Sequence, residues 1–179
     1  KLETLVQAEP RIVAQRFHAF RGRKPYFQNW TDKPVVSLWR KAGELGLIIE
    51  LHISPEQAPM VDRCLDSLPG YSVIIDHLCE PGLGSPAEYD AVLRLARYPH
   101  VHMKLSSLAR IGRELGSREA LQQLVSRVVE AFGAERLVWG GGTLEELDAL
   151  LTSLDVQERD LIKGGNLERL LRWEIHHAA

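Results

Sequence analysis

Five short runs rich in valine, isoleucine and leucine recur along the chain, each followed by a longer stretch whose apolar positions have helical spacing. The runs are Arg11–Phe17 (RIVAQRF), Leu47–His52 (LIIELH), Tyr71–His77 (YSVIIDH), Val101–Ser106 (VHMKLS) and Arg136–Trp139 (RLVW). Their near-continuous apolar character predicts strands covered on both faces rather than a half-solvated sheet. Helices are predicted over Pro34–Gly46, Pro55–Leu68, Pro86–Arg97 and Ser117–Phe132, with two more over Thr143–Leu154 and Gln157–Trp173. Ser54-Pro55 and Ser85-Pro86 each place a capping side chain before a proline at the first helical position, and Ser117 reads as a further cap. Gly46, Gly70 and Gly133 fall just past helix ends.

The strand ends Phe17, His52, His77, Ser106 and Gly140 lie 35, 25, 29 and 34 residues apart. An eight-unit barrel spends about 31 residues per unit, so the spacing fits consecutive βα units in one parallel sheet. Periodicity leaves two α/β folds open: a doubly wound open sheet, or a (β/α)8 TIM-type barrel of which the chain carries five units.

Composition narrows the function rather than the fold. The chain has 179 residues, 45% hydrophobic and 26% charged, with a net charge of −2, which fits one soluble domain spanning 1–179. That charge carries no nucleic-acid footprint, and no apolar run nears the ~20 residues of a membrane span. Cys64 and Cys79 form no metal or disulfide framework and suit a reducing cytoplasm. Self-association into a homo-oligomer is left open.

In parallel α/β sheets, ligands gather at the carboxyl ends of the strands. His52 and His77 stand at two consecutive ends, where imidazoles converge on an ion or simply meet solvent at a loop mouth. His100 and His102 form a His-x-His pair, but at the amino end of their strand, away from such a site. Glu50 and Lys104 each lie two residues before a strand end, so they share an interior layer and are expected to pair, or to orient a small-molecule substrate. Asp76 is expected to point away from the face that His77 occupies, as a packing residue. Trp30, Trp39 and Trp173 read as core or loop-cover aromatics, and His176 and His177 as a frayed tail.

The phrases "LWRKAGELGLIIELHISPEQ", "VIIDHLCEP", "YPHVHMKLSSL", "FGAERLVWG" and "GGNLERLLRW" occur in this order across roughly residues 10–173. Together they resemble the second family of amidohydrolases, metal-dependent hydrolases that include lactonases. The resemblance implies a distorted (β/α)8 barrel in which these phrases supply the fourth to eighth strands. It also implies that His52 and His77 bind or flank a divalent metal, usually zinc, which activates water for attack on a carbonyl. Arg16 corresponds to an arginine of the fourth-strand phrase, placed to hold a substrate carboxylate, although Ala14 stands at a family glycine. Cys79 stands where glycine is frequent after Asp-His-Leu.

Two expected features have no counterpart. Nothing before Arg11 supplies the first strand's His-x-His. The eighth-strand Trp-Gly-Ser-Asp reads Trp139-Gly140-Gly141-Gly142, without the aspartate that would take the proton. The expectation is therefore a domain incomplete at its N-terminus and near 140–142, with the missing strands in a longer molecule or another chain. The expected activity is hydrolysis of a lactone or similar small carbonyl compound. Alternatives are a non-oxidative decarboxylase on the same site, or a catalytically inactive barrel relative that binds.

Overall fold

A computed structural model describes residues 1–21, 24–26 and 29–177. A short helix α1 (Leu2–Ala8) leads into β1 (Ala14–His18), a small hairpin of β2 (Phe20–Arg21) and β3 (Lys24–Pro25), and helix α2 (Lys33–Glu44). Then follow β4 (Ile48–His52), α3 (Ala58–Ser67), β5 (Val73–Ile75), α4 (Pro86–Arg94), β6 (Val101–Leu105), α5 (Leu108–Glu114), α6 (Arg118–Phe132) and β7 (Leu137–Trp139). Helices α7 (Leu144–Leu150), α8 (Val156–Asp160) and α9 (Asn166–His177) close the chain, with a π-helical turn at Leu161–Gly165 between the last two.

All five expected strands form and pair in parallel, in the order β1-β4-β5-β6-β7. This order follows the sequence without reversal. A doubly wound sheet needs a reversal to place helices on both faces, so the sheet is an arc of a barrel. Burial agrees. Phe17, Ile49, Leu51, Val73, Ile75, Val101, Met103, Leu105 and Leu137 share one core with residues of α2, α3, α4, α6 and α7, including Trp39, Val61, Val92, Val125 and Leu147. The alternate strand positions face inward. At the amino end they form a smaller apolar rung of Ile48, Ile74 and Val138, covered by Leu167, Leu170 and Leu171 of α9.

The strands are shorter than their apolar runs. Arg11 folds back on Glu9, whose carboxylate oxygens lie 2.7–3.1 Å from its backbone and guanidinium nitrogens, so the ladder begins at Ala14. The run Tyr71–His77 pairs only over Val73–Ile75, because the chain leaves the ladder after Asp76. Two of the three expected serine caps form: Ser85 Oγ accepts from Glu88 N at 3.3 Å and Ser117 Oγ from Ala120 N at 3.0 Å. Trp30 and Trp39 are buried beside Phe17, their ring centroids 6.3 and 5.8 Å from its own. The side chains of Trp173, His176 and His177 lie outside the described residues. Helix α5 and the hairpin are not anticipated by the apolar pattern.

Candidate active site

Above the apolar rung, the inner face turns ionic. Glu50 on β4 and Lys104 on β6 are paired across β5, as their strand positions predict. Asp76 joins them, correcting the expectation that it points away. It is still extended, at φ −74 and ψ 149, so it continues the inward alternation of Ile74. Its carboxylate is fully buried, 2.8 Å from Lys104 Nζ and 2.5 Å from Arg16 Nη2, and Arg16 Nε lies 3.9 Å from Glu50. Arg16, Glu50, Asp76 and Lys104 therefore form a quartet whose formal charges cancel. Burial opposes the charge on Lys104, but the two carboxylates more than offset it and hold its pKa above the ordinary value. Gly140 makes room for this arrangement: a Cβ there would meet Lys104 Cδ at 2.6 Å.

The imidazoles sit one step higher, at the rim. His52 ends β4 and pairs in register with His18 of β1, which sequence reasoning passed over because it ended that strand at Phe17. His77 reaches the same rim by another route. From His77 to Glu80, φ is 49, 53, 60 and 48, a left-handed turn of four non-glycine residues. Each such residue costs roughly 1–2 kcal/mol, so the turn persists only because its surroundings hold it. Cys79 N donates to Asp76 O at 2.8 Å, Glu80 N to His77 O at 2.9 Å, and the buried Tyr89 hydroxyl to Leu78 O at 2.9 Å. The left-handed backbone also explains why glycine suits the Cys79 position. The result is that His77 and Glu80 both turn toward His52. Glu80 had no signal in the sequence, because a left-handed run of ordinary residues cannot be read from residue types.

The hydrogen bonds fix the tautomers by logic. Arg16 Nη2 lies 3.4 Å from His77 Nε2, and a guanidinium only donates. His77 therefore carries its proton on Nδ1, which donates to Ser106 Oγ at 2.7 Å and has Ser107 Oγ at 3.3 Å. His52 Nε2 donates to Glu80 Oε1 at 3.1 Å, leaving its Nδ1 as acceptor, 3.1 Å from His18 Nδ1. Burial pushes the His77 pKa down to about 4, with Glu80 opposing. Burial also lowers that of His18, with Arg16 adding to the effect. Burial raises the Glu80 pKa, yet hydrogen bonds from His52 and Arg110 overcome it and hold the carboxyl below its usual range.

His52, His77 and Glu80 each offer one donor atom, all within 4.8 Å of one another. Two imidazoles and a carboxylate are a set that catalytic zinc accepts. The donors fit such an ion: Glu80 is held ionised, His77 Nε2 is unprotonated and would exchange its long Arg16 contact for the ion, and His52 Nε2 would become a ligand once its proton moves to Nδ1. His102 lies at the opposite, amino end of the sheet and His100 in the loop before it, as expected. Trp139-Gly140-Gly141-Gly142 adds no carboxylate. The next acid, Glu145, lines a separate cavity of about 590 Å3 with Leu108, Gly112, Arg113 and Leu121, which none of the histidines borders.

Five parallel strands in consecutive order, with two histidines and a carboxylate clustered beyond their carboxyl ends, form an arc of a (β/α)8 barrel. The chain belongs to the amidohydrolase family, whose model matches residues 3–173. It is 32% identical to the L-fucono-1,5-lactonase of Burkholderia ambifaria over 133 residues, 68% of this chain and 45% of that protein. The crystal structure of an amidohydrolase from Burkholderia multivorans with bound HEPES superposes with a TM-score of 0.77 at 20% identity, covering 96% of this chain and 69% of the other. That of a 2-pyrone-4,6-dicarboxylic acid hydrolase from Pseudomonas putida gives 0.77 at 23% identity, covering 97% and 68%. The chain thus spans less than half of the lactonase and about two thirds of these barrels.

Proposed function

We propose that the protein hydrolyses a lactone or a related small carbonyl compound, using a divalent ion, zinc by the character of the donors, held by His52, His77 and Glu80. The convergence of these three side chains at the carboxyl edge of the barrel strands carries the reading. When bound, the ion supplies a Lewis acid that polarises a carbonyl and acidifies water. The chain's own residues do the rest. Ser106 accepts from His77 Nδ1 and so aims Nε2 into the site. Arg16 approaches that nitrogen from below, and its guanidinium is also engaged by Asp76. A substrate carboxylate on Arg16 would therefore share it with Asp76 rather than find it free. Glu50 and Lys104 act on the substrate only through this layer, each being committed to the other. The lactonase likeness supports a cyclic ester as substrate.

The test is elemental analysis together with lactone hydrolysis. Wild-type protein should carry about one divalent ion per chain, as a site of this donor set holds, and His52→Ala or His77→Ala should lose the metal and the activity together. Metal-free protein that hydrolyses lactones at the full rate would overturn the role of the ion. One observation favours a second reading, a binding protein without turnover: the Trp139–Gly142 segment offers no proton acceptor. Full metal loading with no hydrolysis of any lactone in a broad panel would select it.

A further inference from the structure

Glu80 does not stand alone at the rim. Arg110 of α5 reaches its carboxylate with Nη2, 3.0 Å from Oε1 and 2.8 Å from Oε2. The same guanidinium uses Nη1 to hold both oxygens of Glu114, one turn further along α5, at 2.9 Å each. Glu114 is seated in turn against the segment that follows the left-handed turn. A Cβ on Gly82 would lie 3.0 Å from Glu114 Oε2 and 3.2 Å from its Cβ, so a larger residue there would press on the Glu114 side chain. The chain of contacts runs from Gly82 to Glu114, Arg110, Glu80 and His52 Nε2. It fixes both ends of a loop whose backbone is otherwise unfavourable. The Glu80 side chain is 7% exposed, against 37% for Arg110, so the guanidinium also covers the carboxylate from solvent.

From this geometry we propose that Arg110 is a positioning residue. It holds the Glu80 carboxylate against the His52–His77 pair, and Glu114 is its second anchor. The proposal rests on the reading of Glu80 as a donor at the site. A guanidinium between two carboxylates is suited to this task, because its planar fork fixes the orientation of each oxygen pair. Its positive charge also repels a cation bound nearby, so orientation and repulsion make opposite predictions for its removal.

The experiment uses the full chain, stripped with a chelator and titrated with zinc against a chromophoric competitor. Outer partners of metal ligands are typically worth about 10–100-fold in affinity, and Arg110→Ala is expected to weaken zinc binding within that range. Arg110→Lys should recover part of the loss, and Glu114→Gln should weaken binding less than Arg110→Ala. If Arg110→Ala does not fold, Arg110→Lys and Glu114→Gln carry the comparison, both weaker than wild type. Unchanged or tighter zinc binding in the folded variants overturns the proposal. A second readout needs no metal: the His52 Nε2–H resonance, assigned by its loss in His52→Gln, should broaden away in Arg110→Ala as Glu80 loses its fixed orientation. If wild-type protein takes up no zinc, the metal reading of the site fails, and this resonance alone decides the positioning role. Its persistence in Arg110→Ala would end it.

Discussion

Glu50 and Lys104 find each other because the side-chain period of a strand is two, and both lie on the inner parity of strands separated by one neighbour. That rule is readable in the sequence. The rule holds at Asp76, which keeps the inner parity of Ile74; what it misses is the backbone event at His77, whose left-handed φ of 49 brings that side chain in as well. Glu80 and Arg110 lie beyond any such rule, since their meeting depends on a turn and a short helix that residue types do not announce. Removing one member of the quartet leaves a buried charge short of its partner. Lys104→Ala is expected to cost roughly 3–5 kcal/mol of unfolding free energy, toward the lower figure because Arg16 remains; urea titration measures it. The cysteines are a second case at this scale. Burial pushes the Cys64 thiol up to about 11 and the fully buried Cys79 thiol well above its usual value. Both should be silent to a thiol reagent in native buffer and react together on unfolding; a fast-reacting thiol in the folded protein would contradict the burial.

Among the elements, the left-handed turn His77–Glu80 is the most constrained. Its four residues hold a conformation that β-branched side chains avoid most strongly. Cys79→Val changes side-chain size little but should destabilise the protein by about 1–3 kcal/mol, seen as a lower melting temperature, and should disorder the rim with it. Strand β6 makes a different prediction. His102 is kept neutral by burial, with backbone contacts at His100 and Val73 opposing and the Arg136 and Arg169 charges reinforcing; burial also lowers the pKa of His100. Depressed histidine pKa values mean that the unfolded chain takes up protons first as pH falls through about 6.5. Stability should therefore be full above that pH and decline below it. His77 contributes in the same direction, so the diagnostic is the difference: His102→Gln should flatten part of the acid slope between pH 7.5 and 5.5 in urea unfolding.

At the level of the whole molecule, the spacing of the strand ends marked parallel βα units but could not choose between an open sheet and a barrel. The choice lies in the strand order, a long-range property: consecutive neighbours throughout, with α2, α3, α4, α6 and α7 packed on one face and α9 across the amino end of the other. Among the described residues, β1 and β7 each pair with one neighbour, whereas β5 is paired on both sides and fully buried. Amide exchange should follow this gradient, slowest in Val73–Ile75 and faster at both edges, as local opening runs from the margins inward. Equal protection across all five strands would show that the edges are covered by something beyond the described contacts.

The charge quartet has a consequence for how this protein tolerates change. Its four members sum to zero and share their partners, so a single neutral replacement leaves one unit of net charge beneath His77, and a second can restore neutrality. Neighbours this close typically couple by about 0.5–3 kcal/mol. In a saturation library selected for folding, Arg16, Glu50, Asp76 and Lys104 should therefore look intolerant one at a time. They should become permissive in pairs that remove one cation and one anion together, such as Glu50→Gln with Lys104→Met. The layer beneath the site then behaves as one inherited unit, able to change only by compensated double steps.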